Sequence, residues 1–330
     1  MSDLALAVFA AETGAHVVHE PKELPFERFR RTFDGEAFRA TLAAQGLRFI
    51  GRSEPAYPEL LRELHDPPPG LFLRGSGDVE LLSEPAVAIV GARMCSSYGS
   101  QVARKLGREL AAAGLVIVSG LARGVDGEAH RGALEAGGAT VGVLGCGVDR
   151  DYPAAHAHLA RGICTSGLVV SEYAPGVEPA PWRFPARNRI IAGLCRATVI
   201  VEARERSGAL ITADFALEAG REVFAVPGEI TSTLSTGTNA LLRLGATPLT
   251  SASDVLELFG LERTSEQRLD LGDDAAAVLV VLAREPAAAD ELGRATGLDA
   301  TALATALAEL ELAGAVSEAD GLYRGVRAPE

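Results

Sequence analysis

Three arginines lie within seven residues in segment 183–189, which reads Arg-Phe-Pro-Ala-Arg-Asn-Arg. Trp182, the single tryptophan of the chain, comes directly before this segment. Guanidinium groups bind phosphate oxygens through paired hydrogen bonds, and planar rings stack on bases that are not held in a duplex. Segment 182–189 therefore predicts a contact with single-stranded nucleic acid.

The two rings of this segment, Trp182 and Phe184, have two possible roles. In an extended segment both rings share one face and Arg183 points to the other, so the rings can stack on bases. The alternative is that at least one ring packs into the core beneath the loop, and the sequence leaves this choice open. The predicted contacts in this segment are Trp182, Arg183, Phe184, Arg187, Asn188 and Arg189.

A further candidate, Arg93, follows an apolar run at 87–90 in the motif Gly91-Ala92-Arg93. A dinucleotide-binding fingerprint requires glycine at positions 93 and 96, which are Arg and Ser here. An arginine at the end of a strand, close to the start of the next helix, is well placed to bind a phosphate. The alternative role of Arg93 is a structural salt bridge.

Two turns combine small residues with the start of a predicted helix. Ser119 and Gly120 open the first turn, which continues to Arg123, and Ser207 with Gly208 forms the second. Backbone N–H groups can approach an anion closely at such turns. We therefore expect both turns to contact phosphate, with a simple helix cap as the alternative for Ser207.

The polar residues of this region offer little support for catalysis. Asp126 and His130 lie one helical turn apart, but a helix cap at Asp126 and a partly buried His130 explain them more simply. His156 and His158 lack a third ligand at a metal-binding spacing. Ser207 has no obvious His–Asp pair nearby. The sequence predicts no catalytic residue, no metal and no cofactor.

Apolar runs alternate with amphipathic stretches through the middle of the chain. The predicted strands are 87–90, 115–118, 141–144, 168–170, 198–201, 223–226 and 247–249, and the predicted helices are 98–113, 126–136 and 209–219. This alternation is typical of an α/β fold with a Rossmann-like, doubly wound and mostly parallel sheet. Ligands of such sheets bind at the carboxyl ends of the strands, where Arg93 and both turns are expected.

The ends of the chain predict smaller domains. Residues 1–66 indicate a small domain with one or two helices, and residues 67–260 form the predicted Rossmann-like domain. A polar linker at 261–272 precedes three periodic segments, at 275–283, 288–295 and 301–312, and a short hairpin. Three helices followed by a hairpin are typical of a winged helix, which we assign to 273–330.

The net charge of −13 is unevenly distributed. Residues 85–260 carry 16 basic and 16 acidic side chains, whereas residues 273–330 carry 4 basic and 11 acidic ones. A polyanion is therefore repelled least by the middle of the chain. Because the predicted third helix of the tail contains no Lys or Arg, we expect the tail to contact protein rather than DNA.

The remaining composition predicts a cytoplasmic protein. Four scattered cysteines form no Cys-x-x-Cys pair, which fits a reducing compartment better than a disulfide framework. No apolar run approaches the roughly 20 residues of a membrane helix, and no signal peptide is evident.

Several unusual strings occur in one order within residues 55–260. They are Ile89-Val90-Gly91 with Arg93, Ser119-Gly120-Leu121-Ala122-Arg123-Gly124-Val125-Asp126, Val143-Leu144-Gly145-Cys146-Gly147 with Tyr152-Pro153, Phe184-Pro185-Ala186-Arg187-Asn188-Arg189-Ile190-Ile191-Ala192-Gly193, Ser207-Gly208-Ala209-Leu210-Ile211-Thr212-Ala213 and Gly237-Thr238-Asn239. On these strings the chain resembles the DNA-processing protein A (DprA/Smf) family.

The resemblance implies a non-enzymatic homodimer whose Rossmann-like core binds and protects single-stranded DNA. It also implies that the protein loads the RecA recombinase during natural transformation and recombination, with single-stranded DNA-binding protein as a further candidate partner. The DNA contact is placed on Arg93 and on residues 183–189. The first 50 residues lack a clear hairpin glycine motif, so they are expected to form a reduced helix-hairpin-helix or SAM-like domain.

Two other classes of function remain to be compared. Nucleoside-monophosphate hydrolases of the "lysine decarboxylase-like" group use a similar sheet, but their Pro-Gly-Gly-x-Gly-Thr-x-x-Glu motif is absent here. Release of free base from nucleotides would favour that class. A winged-helix transcription regulator is disfavoured by the acidic tail. The sequence favours a mediator that binds single-stranded DNA.

Overall fold

The computed structural model describes residues 2–13, 24–261, 271–319 and 321–325. The chain divides into two compact units, Met1–Thr264 and Ser265–Glu330. Most of the predicted linker, residues 262–270, lies outside the described residues. Among the helices that are described, none is long and apolar enough to cross a bilayer.

A nine-stranded sheet runs through the described part of the first unit, in the order β1-β2-β6-β5-β4-β3-β7-β8-β9. Its strands are β1 (Leu47–Gly51), β2 (Gly70–Arg74), β3 (Ala86–Val90), β4 (Val116–Ser119), β5 (Thr140–Val143), β6 (Leu168–Ser171), β7 (Ala197–Ile200), β8 (Glu222–Ala225) and β9 (Thr247–Pro248). Strands β3 to β9 pair in parallel, because apolar residues on both faces let helices cover both sides. The predicted Rossmann-like α/β fold is confirmed.

Helices cover the sheet and connect its strands. They are α1 (Ser2–Thr13), α2 (Leu24–Thr32), α3 (Gly35–Ala44), α4 (Glu59–Arg62), α5 (Ser97–Ala112), α6 (Val125–Glu135), α7 (Ala157–Ser166), α8 (Arg183–Gly193), α9 (Gly208–Glu218), α10 (Thr236–Arg243) and α11 (Ala252–Phe259). Helices α5, α6 and α9 each begin and end within one residue of the predicted helix. Amphipathic spacing located them well because their apolar faces pack on the sheet.

The sheet also includes two strands that the sequence did not predict. Strand β1 pairs antiparallel with β2, and β2 pairs antiparallel with β6. The predicted domain boundary at 66/67 lies between β1 and β2, so the sheet crosses it. These strands show neither a regular alternation nor a long apolar run, and both end beside Gly or Pro. The side chain of Asp3 in α1 accepts hydrogen bonds from the N–H and Oγ of Ser53, next to β1.

Helices α5 and α6 pack unusually closely because each has a glycine at the contact. A Cβ atom added at Gly107 of α5 would lie 2.3 Å from the carbonyl oxygen of Ala129. At Gly132 of α6, it would lie 2.0 Å from the carbonyl oxygen of Arg104. Since α5 and α6 follow β3 and β4, this contact holds the two loops at the ends of those strands side by side.

The second unit has the predicted winged-helix pattern. It consists of α12 (Asp273–Leu282), α13 (Ala289–Thr296), α14 (Ala300–Leu312), β10 (Val316–Ala319) and β11 (Leu322–Gly325). Val278, Leu292 and Leu310, one from each helix, are fully buried in a common core. Asp299 begins α14 by accepting hydrogen bonds from the N–H groups of Thr301 and Ala302, both at 2.9 Å.

We expect Gly132→Ala to lower the free energy of unfolding by about 1–3 kcal/mol, the range for overpacking. Alanine favours helix formation by about 1 kcal/mol relative to glycine, but its Cβ here would meet backbone atoms of α5. Gly162→Ala in α7 is the control, because its Cβ would lie 3.4 Å from the flexible side chain of Leu134. Urea denaturation measures both variants, and equal stability of the two would contradict the close packing.

Candidate nucleic-acid interface

The strand order reverses between β3 and β7, and a pocket of about 220 Å³ opens at their carboxyl ends. This is the position at which open α/β sheets bind ligands. The loops after β3 and β4, helix α8 and the start of α9 form its walls. The pocket brings together six of the predicted site residues: Arg93, Phe184, Arg187, Asn188, Ser207 and Gly208.

Arg93 lies exposed at the pocket and contacts an aromatic ring. Its guanidinium carbon is 5.4 Å from the centroid of Phe184, a distance at which a cation–π interaction is attractive. Among the described residues Arg93 forms no salt bridge, so the alternative structural role is not what the structure shows. Its positive charge faces solvent at the carboxyl edge of the sheet.

The rings of Trp182 and Phe184 differ in burial. Helix α8 begins at Arg183, so the alternation of faces expected for an extended segment does not apply. Trp182 is 50% exposed, whereas Phe184 is half-buried and stacks on Tyr152 with 5.3 Å between ring centroids and 20° between planes. Neither ring is buried in the core.

Arg183 is held between two aromatic rings. Its guanidinium carbon lies 5.0 Å from the centroid of Trp182 and 5.1 Å from that of Tyr173. The side chain also donates a hydrogen bond to the carbonyl oxygen of Glu178. These contacts place a positive charge and an exposed indole next to each other, beside the first turn of α8.

Arg187 lies beneath the pocket, where it binds backbone rather than solvent. It is 3% exposed and donates hydrogen bonds through Nη1 to the carbonyl oxygens of Gly120, at 2.9 Å, and Val143. Burial lowers the pKa of Arg187 to about 10, against the opposing effect of the Asp126 carboxylate. Arg187 therefore connects α8 to the ends of β4 and β5.

The sequence predicted that Asp126 caps α6, but Gly124 occupies the N-cap position. The buried carboxylate of Asp126 accepts hydrogen bonds from the N–H groups of Gly120, at 3.1 Å, and Ala122, at 3.4 Å. Burial raises the pKa of Asp126, although Arg187 favours the charged form. The amides that we expected to bind a phosphate are thus occupied by a carboxylate of the protein.

Two of the three residues that we expected to contact phosphate in the first turn, Ser119 and Gly120, are buried. Ser119 is fully buried and its Oγ donates a hydrogen bond to the carbonyl oxygen of Ile89 at 2.6 Å. Gly120 is buried, and a Cβ there would lie 2.6 Å from Oδ2 of Asp126 and 2.7 Å from Nη2 of Arg187. Only Arg123 of this turn is exposed.

Arg189 is the clearest departure from the predicted phosphate contacts. It is 4% exposed, and two of its nitrogens each lie 2.7 Å from a carboxylate oxygen of Glu172. Its Nε lies 3.3 Å from Oδ2 of Asp66. Helix positions two residues apart are separated by about 200° and face opposite sides, so Arg187 and Arg189 point to different neighbours. The arginines of segment 183–189 do not all face solvent.

The second turn is a helix cap that also lines the pocket. Ser207 precedes α9, and its side chain accepts a hydrogen bond from the N–H of Ala209 at 3.3 Å. The side chain of Asn188 donates to the carbonyl oxygen of Gly208 at 3.0 Å, which joins α8 to the start of α9. The cap that was the alternative role for Ser207 is present.

The side chains of Asp126 and His130 have separate hydrogen-bond partners. His130 is fully buried and hydrogen-bonded to Thr140 at 2.7 Å, and burial lowers the pKa of His130 to about 3. Within the described residues, no group of three His, Cys, Asp or Glu side chains is arranged to hold a metal ion.

Sequence reasoning missed Tyr152 and Tyr173, which contact the two predicted rings. Tyr152 follows the glycine turn after β5, where a Cβ at Gly145 would lie 2.9 Å from the Phe184 ring. Both tyrosines follow the carboxyl end of a strand, β5 for Tyr152 and β6 for Tyr173. This position is the signal in the sequence that could have identified them.

The fold and this edge define the class of the protein: a Rossmann-like α/β protein with a basic and aromatic carboxyl edge, joined to a winged-helix unit. The family model for DNA recombination-mediator protein A matches residues 48–260, and that for the DprA winged helix domain matches residues 262–321. The chain belongs to the DNA recombination-mediator protein A family, which confirms the resemblance found in the sequence.

Individual relatives agree with this assignment. The DNA processing protein DprA of Streptococcus pneumoniae is 48% identical over 206 residues, which cover 62% of this chain and 72% of that protein. Protein Smf of Escherichia coli is 38% identical over 283 residues, covering 82% of this chain and 75% of that protein.

Two solved structures resemble the fold. The crystal structure of DprA from Streptococcus pneumoniae has a TM-score of 0.65 and 43% identity, covering 72% of this chain and 82% of that one. The structure of DNA processing protein A from Helicobacter pylori, described for its single-stranded DNA binding mode, has a TM-score of 0.58 and 32% identity. It covers 64% of this chain and 95% of that one.

We expect Arg189→Ala to lower the free energy of unfolding by about 3–5 kcal/mol, because it leaves the carboxylate of Glu172, whose side chain is only 12% exposed, without its partner. Arg93→Ala removes an exposed side chain without a salt bridge and should change stability by less than about 0.5 kcal/mol. Guanidinium denaturation of the two variants measures the difference. A small effect of Arg189→Ala would contradict a structural role for the buried pair.

Proposed function

We propose that the carboxyl edge of the sheet binds single-stranded DNA. The observation that carries this proposal is the exposed guanidinium of Arg93, which forms no salt bridge among the described residues and lies against the Phe184 ring. An exposed positive charge beside an aromatic cluster matches what a single strand presents, namely phosphates and unpaired bases. The described binding mode of the Helicobacter pylori relative supports this proposal.

The arginines of this interface have two different roles. The exposed Arg93 and Arg123 and the partly exposed Arg183 supply positive charge for phosphates, while the buried Arg187 and Arg189 hold the loops and helix α8 in place. Trp182 and the aromatic cluster supply surface for bases. Phosphate contacts and stacking are both tolerant of sequence, so binding should depend little on base order.

The biological role that we propose follows from family membership. As a DNA recombination mediator, the protein would protect single-stranded DNA in the cytoplasm and load the RecA recombinase onto it, acting as a homodimer and without catalysis. RecA and single-stranded DNA-binding protein are the proposed protein partners. Family membership supports this role, and the DNA-binding edge gives it a physical starting point.

The winged-helix unit has a different proposed role. Its helix α14 contains Glu309 and Glu311 and no Lys or Arg, so the helix that a winged helix commonly inserts into the major groove would repel DNA. The excess of acidic residues in 273–330 acts in the same direction. We therefore propose that this unit contacts protein.

Arg93→Ala should weaken binding to single-stranded oligonucleotides of every sequence. Loss of one phosphate contact should reduce the slope of log affinity against log salt by roughly 0.7. Fluorescence anisotropy titrations over a range of salt concentrations measure both quantities. An unchanged affinity and slope would contradict the proposal.

Arg243→Ala is the matched control for that titration. Arg243 is exposed at the last residue of α10, whose first turn contacts Ala203 after β7. Helix α10 runs away from the carboxyl edge, so its final residue lies toward the opposite edge of the sheet. The control should keep both the affinity and the salt slope of the unmodified protein.

Truncation after Leu261 should leave the affinity for single-stranded DNA within a few-fold of the full chain. The expected result follows because the removed unit is acidic and the exposed arginines at the carboxyl edge remain. The same anisotropy titration compares the two proteins. A loss of affinity beyond tenfold, or tight duplex binding by segment 273–330 at physiological salt, would contradict the proposed role of the tail.

A further inference from the structure

Among the described residues, the exposed aromatic side chains all lie at the carboxyl edge of the sheet. They are Tyr98, Tyr152 and Trp182, with exposed fractions of 45%, 41% and 50%. Tyr98 begins α5 after β3, Tyr152 lies between β5 and α7, and Trp182 directly precedes α8. Elsewhere in the described chain the large exposed apolar side chains are aliphatic. A concentration of exposed rings on one surface indicates a ligand for that surface.

The Phe184 ring is covered by its neighbours. Tyr152 stacks on it nearly in parallel, Arg93 lies over it, and the backbone at Gly145 approaches its edge. The part of the ring that stays accessible lines the pocket. Tyr152 is the outer member of the stacked pair, since it is more exposed than the half-buried Phe184.

We propose that Tyr152 provides the surface on which a base stacks next to Arg93, and that Phe184 supports the Tyr152 ring from beneath. This inference rests on the proposed binding of single-stranded DNA and assigns a residue within that site. Tyr152 and Arg93 both contact the Phe184 ring. A base stacked on Tyr152 and a phosphate bound by Arg93 can therefore come from the same or adjacent nucleotides of one strand. Trp182, two residues before Phe184, offers a second exposed ring further along the edge.

The interaction is with the face of the base and not with its edge. Every base has such a face, so the platform accepts any sequence. The tyrosine hydroxyl is not required for stacking, and phenylalanine should replace it. Removal of the ring should therefore affect a strand that carries bases and spare one that carries only sugar and phosphate.

The test compares oligothymidine with an abasic oligomer of the same length, using the full chain. Tyr152→Ala should weaken oligothymidine binding by about 5- to 150-fold, the range that base–aromatic stacking implies. Its affinity for the abasic oligomer and its salt slope should equal those of the unmodified protein. Arg93→Ala should instead weaken binding to both oligomers, because it removes a phosphate contact.

Two variants separate stacking from local folding. Tyr152→Leu still covers Phe184 with apolar atoms but has no ring, and it should lose affinity for oligothymidine as Tyr152→Ala does. Tyr152→Phe should retain it. Leu244→Ala, which removes an exposed apolar side chain next to the end of α10, is the control for surface substitution.

The possible outcomes distinguish this inference from the proposed function. If the unmodified protein does not bind oligothymidine, the proposed function fails. If it binds and Tyr152→Ala or Tyr152→Leu binds equally well, the stacking role of Tyr152 is overturned and the DNA-binding edge remains. An equal loss on the abasic oligomer would also overturn it, because the residue would then act on the backbone.

Discussion

The buried guanidinium of Arg187 is the interaction on which the carboxyl edge depends. It connects α8 to the carbonyl groups at the ends of β4 and β5, beside the Asp126 carboxylate that holds the amides of the first loop. A buried charge of this kind is tolerated only when its hydrogen bonds and an opposite charge compensate for the loss of water. Gly120 is confined between these two side chains, since a Cβ there would overlap both. The floor of the pocket is therefore fixed by the protein itself and does not require a ligand to form.

The arginines at this edge have different roles, because some of them build the preformed floor and others lie exposed above it. Arg187 and Arg189 point inward from α8 toward separate partners, and their charges are already balanced by Asp126 and Glu172. Arg93 comes from another loop, is exposed and forms no salt bridge among the described residues. A phosphate that reaches this edge would meet the exposed charge at the surface, while the buried charges below hold the loops in position. Counting arginines in a sequence does not distinguish these two groups.

The elements with a strong periodic pattern could be predicted from the sequence, and those defined by distant partners could not. The parallel strands and helices α5, α6 and α9 follow from apolar spacing, and the tail follows from three short amphipathic segments. Strand β2 was missed because it pairs with β6, about a hundred residues away in the chain, and β1 was missed because, among the described strands, it pairs only with β2. The burial of Arg189 likewise depends on Glu172 and Asp66, which lie on other elements. Tyr152 was missed because its importance arises only from the ring beneath it.

Pro248 affects the side of the sheet that its outermost strand, β9, forms. Strand β9 contains two residues and forms one edge of the sheet, and Pro248 has no N–H to offer a further strand. An edge with so short and interrupted a row of hydrogen-bonding groups is a poor template for another chain. Copies of the protein at high concentration therefore find no template for β-aggregation at this edge.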